Sequence, residues 1–234
     1  MGAIALAGAI GFGALGVWQV ERLGWKNGLI AAVAERTSAV PTDPSSDGTW
    51  TGFDPEQDEY RRVAVSGRFD NSSETLVQAV TAYGGGFWVM TPLVVGDGRA
   101  VLVNRGFVLP GQRDPGSRGG AAQDGPVTVT GLLRQSEPDG GFLRSNDPQG
   151  ERWFSRDVAA FAAHDGLSDV APFFIDADLG APGDVPIGGL TVISFSNNHL
   201  IYALTWFALA AMLLAGFGYV VWDRRRSNSP SVPQ

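Results

Sequence analysis

The chain contains no cysteine and only two histidines among its 234 residues. Without a thiol it cannot form disulfides, thiolate metal sites, covalent c-type haem attachments or cysteine nucleophiles. Only His164 and His199 could carry protons near neutral pH, and neither lies in a known catalytic motif. The composition therefore argues against a hydrolase triad, and we expect no enzymatic activity.

Basic residues are also scarce: 17 Lys and Arg stand against 24 Asp and Glu, which gives a formal net charge of −7. Binding the phosphates of a nucleic acid needs clustered Lys and Arg on one face. The only basic run is Arg224, Arg225 and Arg226, close to the C-terminus. We therefore expect no nucleic acid partner, and this run needs another explanation.

Charged side chains are missing from a long stretch at the N-terminus. Residues 1–19 contain no ionisable side chain, and the apolar run that ends at Trp18 would be about 27 Å long as a helix. Arg22 and Trp25 follow as interfacial anchors. A cleavable signal peptide is the alternative, but no basic region precedes the run and no small-residue cleavage site follows it. We predict a first transmembrane helix over residues 1–23.

A second uncharged stretch of 23 residues extends from Leu200 to Trp222. It would be about 34 Å long as a helix, and aromatic residues stand near both of its ends. Three arginines follow it, so the positive-inside tendency predicts a cytoplasmic C-terminus and a bilayer-spanning hairpin. We predict a second transmembrane helix over residues 197–222, a disordered cytoplasmic tail over 223–234 and an extracytoplasmic domain over 24–196.

Between the two spans, short runs of strand-forming residues alternate with turn signals. Seven strands are predicted: Arg62–Phe69, Thr75–Val80, Phe87–Val95, Ala100–Val108, Val127–Leu133, Phe173–Asp176 and Thr191–Phe195. The Asp97-Gly98 pair predicts a hairpin turn. One helix is expected at Arg156–Ala163, with Ser155 as its N-cap. The fold class is thus an α+β membrane protein, with two transmembrane helices flanking a mainly β domain that has one or two short helices.

Two motifs carry little functional signal. Asp176 and Asp178 form an Asp-x-Asp pair that could ligate Mg²⁺ or Ca²⁺, but such a pair at a strand end more often solvates a turn. The run Gly84-Gly85-Gly86 lacks the Lys and Ser or Thr of a phosphate loop, so a turn into a strand explains it better. Neither motif predicts a site.

His199 is more informative because it stands in the first turn of the second span, where an ionisable residue is costly without a role or a partner. Helical spacing places Tyr202, Ala203 and Trp206 on the same face. The imidazole could ligate a metal, with iron as the leading case. It could equally cap the helix or bond to headgroups within an ordinary aromatic belt. The residues alone leave both interpretations open.

Five longer strings are specific and follow one another through most of the chain: GVWQVERLGWKNGLI at 16–30, RRVAVSGRFD at 61–70, TPLVVGDGRAVLVNRGFV at 91–108, PFFIDAD at 172–178 and NNHLIYALTWFALA at 197–210. Together they resemble the Surfeit locus protein 1 family of cytochrome c oxidase assembly factors. One departure is visible, since the family tends to have Asn-Arg-Gly-Trp where this chain has Asn104-Arg105-Gly106-Phe107. Gly106 after an apolar strand also predicts a tight backbone approach beside Arg105.

The resemblance implies an inner-membrane protein that assists haem a insertion into oxidase subunit I, or stabilises that subunit. The family's proposed haem-linked histidine falls on His199. Haem a would be a transient cofactor, Tyr202 and Trp206 would supply aromatic walls, and Arg22 would pair with a propionate. The implied partners are subunit I, the lipid bilayer and possibly enzymes of haem a synthesis. The alternative function is a membrane scaffold or chaperone for oxidase subunits that binds no haem.

Because no presequence precedes the first span, we expect a bacterial inner (plasma) membrane location, with the large domain in the periplasm.

Overall fold

A computed structural model describes residues 2–119, 123–141 and 143–227. The chain divides into two compact units. We call the first the helical unit, which comprises the residues up to Ala32 and those from Ser194 onward, and the second the β-domain, which comprises Val33–Ile193. The predicted membrane boundaries at residues 23 and 197 stay predictions, because the division into units does not locate a bilayer.

Of the described residues, the helical unit contains helix α5 (His199–Ser227) and most of helix α1 (Gly2–Ser38), whose last residues belong to the β-domain. Both are long and apolar enough to cross a membrane, with mean hydropathies of 1.7 and 2.0 over their most apolar stretches. Helix α1 continues past the expected end of the span because good helix formers follow, and it ends shortly before Pro41. Helix α5 includes the three arginines, and residues 228–234 of the predicted tail lie outside the described residues.

Small residues allow α1 and α5 to approach each other. A Cβ added at Gly16 would lie 2.5 Å from the ring of Phe207. Ala203 is only 2% exposed. Phe12 stacks on Trp206 with 5.5 Å between the ring centroids. Since lipid tails are as apolar as these side chains, close van der Waals packing of this kind stabilises the pair.

The described part of the β-domain contains six strands: β1 (Arg62–Phe69), β2 (Thr75–Thr81), β3 (Gly84–Val94), β4 (Ala100–Val108), β5 (Val127–Gln135) and β6 (Val170–Ala177). Six of the seven predicted strands are therefore confirmed. The seventh, Thr191–Phe195, is wrong: these residues form irregular backbone. Strand propensity reflects packing on a sheet face, and this segment has no ladder partner within the described residues.

The strands form a closed barrel with one extension. The order is β1-β5-β6-β4-β3-β2, and β3 also pairs with β1 at Phe69↔Leu93, which closes the ring. Only β4 and β6 are parallel. The hairpin turn between β3 and β4 is confirmed, because Gly98 has a φ of +90° and Val95 N donates to the carbonyl of Arg99. Strand β2 pairs with the first half of β3 and extends the sheet beyond the ring.

Side chains of β6 point alternately to its two faces, and each face contributes to a separate hydrophobic core. Phe173 and Ile175 point into the barrel, where Trp50 of helix α2 (Thr49–Gly52) packs against Phe173. Phe174 points outward and packs with Trp153 and with Val158 and Phe161 of helix α4 (Val158–Asp165). Another short α-helix is α3 (Pro55–Asp58). These elements confirm the α+β fold class.

The N-terminus of α4 corrects one detail of the sequence analysis. The helix begins at Val158, and its N-cap is Asp157, whose side chain accepts from the backbone N–H of Ala160. Ser155 instead accepts hydrogen bonds from Gly140 N and from the side chain of Asn146. Ser and Asp are both good N-caps, so position alone could not choose between them.

Candidate functional site

His199, a predicted site residue in the helical unit, has a specific hydrogen-bonding partner on α1. His199 Nδ1 lies 2.7 Å from Oε1 of Gln19 on α1, and Gln19 is only 8% exposed. An amide oxygen can only accept, so Nδ1 carries the proton and donates it. In the neutral ring the other nitrogen, Nε2, then has a lone pair and can act as a metal ligand.

A second polar pair crosses the same two chain segments. Asn197 Nδ2 donates to Oδ1 of Asn27 over 2.8 Å. Asn197 precedes the first residue of α5, so this bond joins the entry to that helix to α1.

The other predicted cofactor-binding residues have different surroundings. Tyr202 is 54% exposed, whereas Trp206 is stacked on Phe12. The guanidinium of Arg22 lies 3.9 Å from the ring centroid of Trp25. The structure thus brings His199 together with Gln19, which the sequence analysis did not single out, and the haem-binding roles of His199, Tyr202, Trp206 and Arg22 stay predictions.

The β-domain contains a buried carboxylate with four donors. One oxygen of Asp176 accepts from Asn104 Nδ2 (2.8 Å) and from Arg156 Nη1 (3.0 Å). The other accepts from Arg134 Nη1 (2.9 Å) and from the hydroxyl of Thr191 (2.8 Å). Asp176 is 5% exposed, so these bonds replace the hydration that it loses on folding.

Arg156 connects this carboxylate to a second one. Its Nε and Nη2 donate to the two oxygens of Glu137, at 3.0 and 2.5 Å, and its guanidinium lies 4.7 Å from the ring centroid of Phe174. Burial alone would lower the pKa of Arg156, but the hydrogen bond to Glu137 and the charges of Asp176 and Glu137 hold that pKa above its ordinary value. The guanidinium therefore stays charged.

This cluster lines a cavity of about 220 Å³, which Trp88 and the segment 188–192 also border. The interpretation of the Asp-x-Asp pair as a solvated turn is wrong for Asp176, since the segment after β6 folds back over it. Asp178 pairs separately with Arg62. Within residues 2–119, 123–141 and 143–227, no group of three His, Cys, Asp or Glu side chains could hold a metal ion.

Arg105 belongs to a second charge cluster, which includes Glu74 and Arg118. Arg118 binds Glu74 through two hydrogen bonds of 2.8 and 2.7 Å. Arg105 Nη1 lies farther from Glu74, at 3.9 Å, and donates to Asn71 Oδ1 over 3.1 Å. Burial lowers the pKa of Arg105, and Glu74 opposes that shift in part. Arg118 is therefore the main ionic partner of Glu74.

The predicted tight backbone approach at Gly106 is confirmed. Its φ is +130°, and an added Cβ would lie 2.3 Å from the carbonyl of Ile187. Only glycine fits this position without strain.

Comparison with known proteins decides the family. A sequence model of the SURF1 family matches residues 6–211. This chain belongs to the SURF1 family. Among its relatives, a SURF1-like protein of Monosiga brevicollis is 34% identical over 93% of this chain and 85% of its own length. The Surfeit locus protein 1 of Mus musculus is 37% identical over 89% of this chain and 71% of its own, and that of Homo sapiens is 36% identical over 84% and 69%.

The SURF1 match includes both units, since it begins within α1 and ends within α5. Phe107, which stands where the family tends to have Trp, is fully buried. Its ring contacts Trp88, with 5.8 Å between centroids, and its backbone exchanges two hydrogen bonds with Ile187. An aromatic ring fills this place without needing an indole N–H.

Proposed function

We propose that this SURF1-family chain is an assembly factor for haem-copper cytochrome c oxidase, which assists haem a insertion into subunit I or stabilises that subunit. The proposal rests on family membership and on one observation, the 2.7 Å contact between His199 Nδ1 and Gln19. A metal-ligating histidine usually donates its second ring N–H to an oxygen acceptor, which fixes the tautomer and increases ligand basicity. His199 has this arrangement.

In this proposal haem a is cargo, bound transiently and then transferred. His199 Nε2 would ligate the iron, and an apolar helical surface with aromatic residues would hold the ring. Trp206, fixed by its stack on Phe12, and the exposed Tyr202 would supply that surface. Arg22, held over Trp25, would pair with a propionate. The chain's own contribution is binding and orientation, and we propose no catalysis.

We further propose that the chain lies in a bacterial inner (plasma) membrane with the β-domain in the periplasm, and that it contacts subunit I and possibly haem a synthesis enzymes there. The two apolar helices support a membrane location. The three arginines at the end of α5 support a cytoplasmic C-terminus. A periplasm-dependent reporter fused after Gln234 should be inactive, and activity at that position would refute this topology.

The competing function is a scaffold that holds oxidase subunits and binds no haem. The contacts of His199 with Gln19 and of Asn197 with Asn27 would then serve only to fix how the two segments pack. Purification of the full chain from cells that make haem a distinguishes the two functions. Under our proposal the protein carries a haem a absorption spectrum and co-purifies with subunit I. Co-purification of subunit I without haem would favour the scaffold, and the loss of both would contradict assembly of this oxidase.

A further inference from the structure

The β2–β3 hairpin has an outer face that forms the floor of a groove in the β-domain. Gln78 pairs with Phe87 and Val80 pairs with Gly85 across the two strands, so all four lie on one face of the sheet. Gly85 leaves the floor open, since an added Cβ there would meet no atom within 4 Å. The groove has a volume of about 670 Å³. We call it the arginine groove, after the two residues that form its walls, Arg113 and Arg144.

The two arginines are exposed, and each guanidinium lies over an aromatic ring. The guanidinium of Arg113 lies 4.7 Å from the ring centroid of Phe87, and that of Arg144 lies 5.4 Å from the ring centroid of Phe154. Arg144 also donates to Gln78 Oε1 over 3.2 Å. Across the described ranges, which omit residues 1, 120–122, 142 and 228–234, no carboxylate forms an ion pair with either arginine.

These two cations contrast with three other arginines of the β-domain. Arg118, Arg134 and Arg156 each form an ion pair with a buried or half-buried carboxylate. In a chain with a net charge of −7, two adjacent arginines without a carboxylate partner form a local surplus of positive charge. Such a surplus steers acidic partners and favours them over basic ones.

We propose that the arginine groove binds an extended acidic peptide segment of a partner protein. Strand β2 is the edge of the sheet, where Gln78 N already donates to the carbonyl of Trp153 over 2.9 Å. Beyond that contact Val80 is 87% exposed. An exposed edge strand pairs with an extended segment through the main chain, while alternate side chains enter neighbouring pockets. Carboxylates of the segment would bind Arg113 and Arg144, and its apolar side chains would cover Val80 and Phe87.

An anionic lipid headgroup would use the arginines but neither the strand edge nor the apolar floor. A peptide uses all three features, so the combination favours a peptide. The proposal concerns the β-domain alone and does not depend on haem binding.

The test uses the full-length protein in detergent micelles and a fluorescein-labelled peptide of alternating Glu and Val. We expect the Glu/Val peptide to bind the protein, and the matching peptide of alternating Gln and Val to bind much more weakly. The double variant Arg113→Gln/Arg144→Gln should weaken binding about tenfold or more. Gly85→Leu should weaken peptide binding similarly, because the leucine side chain would fill the floor of the arginine groove while both arginines remain. Arg152→Gln is the matched control, since it removes one exposed arginine outside the groove whose partner is Asp147.

Several results would overturn the proposal. Equal weakening by Arg152→Gln, with no effect of Gly85→Leu, would mean unspecific charge attraction. Displacement of the peptide by vesicles of phosphatidylglycerol, but not by vesicles of phosphatidylcholine, would assign the arginines to lipid. A change of oligomeric state in Gly85→Leu without peptide binding would assign the groove to a second copy of the chain. Unchanged thermal unfolding of each variant excludes loss of the fold as the cause.

Discussion

Asp176 of the β-domain and His199 of the helical unit differ in how completely they are hydrogen-bonded. In the β-domain, Asp176 accepts four hydrogen bonds and Glu74 accepts two from Arg118. In the helical unit, the bond to Gln19 uses Nδ1 of His199 and leaves Nε2 for a ligand. A buried group whose bonding capacity is filled stabilises the fold, whereas a group with a remaining lone pair can bind. This difference supports the proposed haem ligation at His199 and indicates a structural role for Asp176.

The largest expected effect is on the stability of the β-domain. Asp176→Ala removes a carboxylate that pairs with both Arg134 and Arg156, and these two arginines stay partly buried. Breaking a buried ion pair from one side costs about 3–5 kcal/mol of unfolding free energy. The midpoint of chemical unfolding, followed by tryptophan fluorescence, measures the loss.

Asp178→Ala is the matched control for Asp176→Ala. It removes a carboxylate two residues away whose side chain is 35% exposed and pairs only with Arg62 among the described contacts. A half-exposed pair contributes about 0–1 kcal/mol. Equal destabilisation by the two variants would contradict the structural role assigned to the Asp176 cluster.

The second cluster provides a contrast between two arginines. Arg118→Ala removes the bidentate partner of Glu74, whose side chain is 9% exposed, and should cost about 3 kcal/mol. Arg105→Ala leaves that pair intact and should cost about 1 kcal/mol. We nevertheless expect Arg105→Ala to lower oxidase activity in cells. A folded Arg105→Ala protein that supports normal oxidase activity would remove the functional role of Arg105.

A smaller effect should follow from removing the acceptor of His199. Gln19→Leu keeps the volume of the side chain but no longer accepts the Nδ1 proton, so haem affinity should fall about tenfold. Gln19→Glu keeps an acceptor and should retain haem. Asn27→Leu is the control, since it breaks the other polar pair without contacting His199. Haem titration of the detergent-purified variants measures the affinities, and equal losses in Gln19→Leu and Asn27→Leu would show that helix register alone matters.

Local patterns predicted much of the fold. The bounds of β1 and β4 follow from runs of β-branched residues between turn signals, and the two apolar helices follow from the lack of charge at both ends. The strand predicted at Thr191–Phe195 is wrong because a strand needs a hydrogen-bonded neighbour, and local strand propensity does not reveal whether one exists. The sequence also gave no reason to choose Asp157 over Ser155 as the N-cap.

The candidate site was only partly predictable. His199 stood out because an ionisable residue in a membrane helix needs a role or a partner. Its partner Gln19 is about 180 residues away in the chain, so the pairing depends on how α1 and α5 pack. The prediction that Asp176 solvates a turn is wrong because its burial depends on the segment 188–192, which folds back over the end of β6. A clue was available in the position of Asp176 within an otherwise apolar strand.

The haem absorption of His199 variants, measured at equal protein concentration, tests the central claim most directly. His199→Ala keeps a good helix former, so the second helix should still insert while haem retention falls sharply. His199→Met should retain part of the haem because a thioether is a weaker iron ligand, whereas His199→Gln should not. If His199 instead acts as a hydrogen-bonding cap at the membrane interface, His199→Gln should keep function and His199→Met should lose it. Full haem retention in His199→Ala would contradict the ligand role.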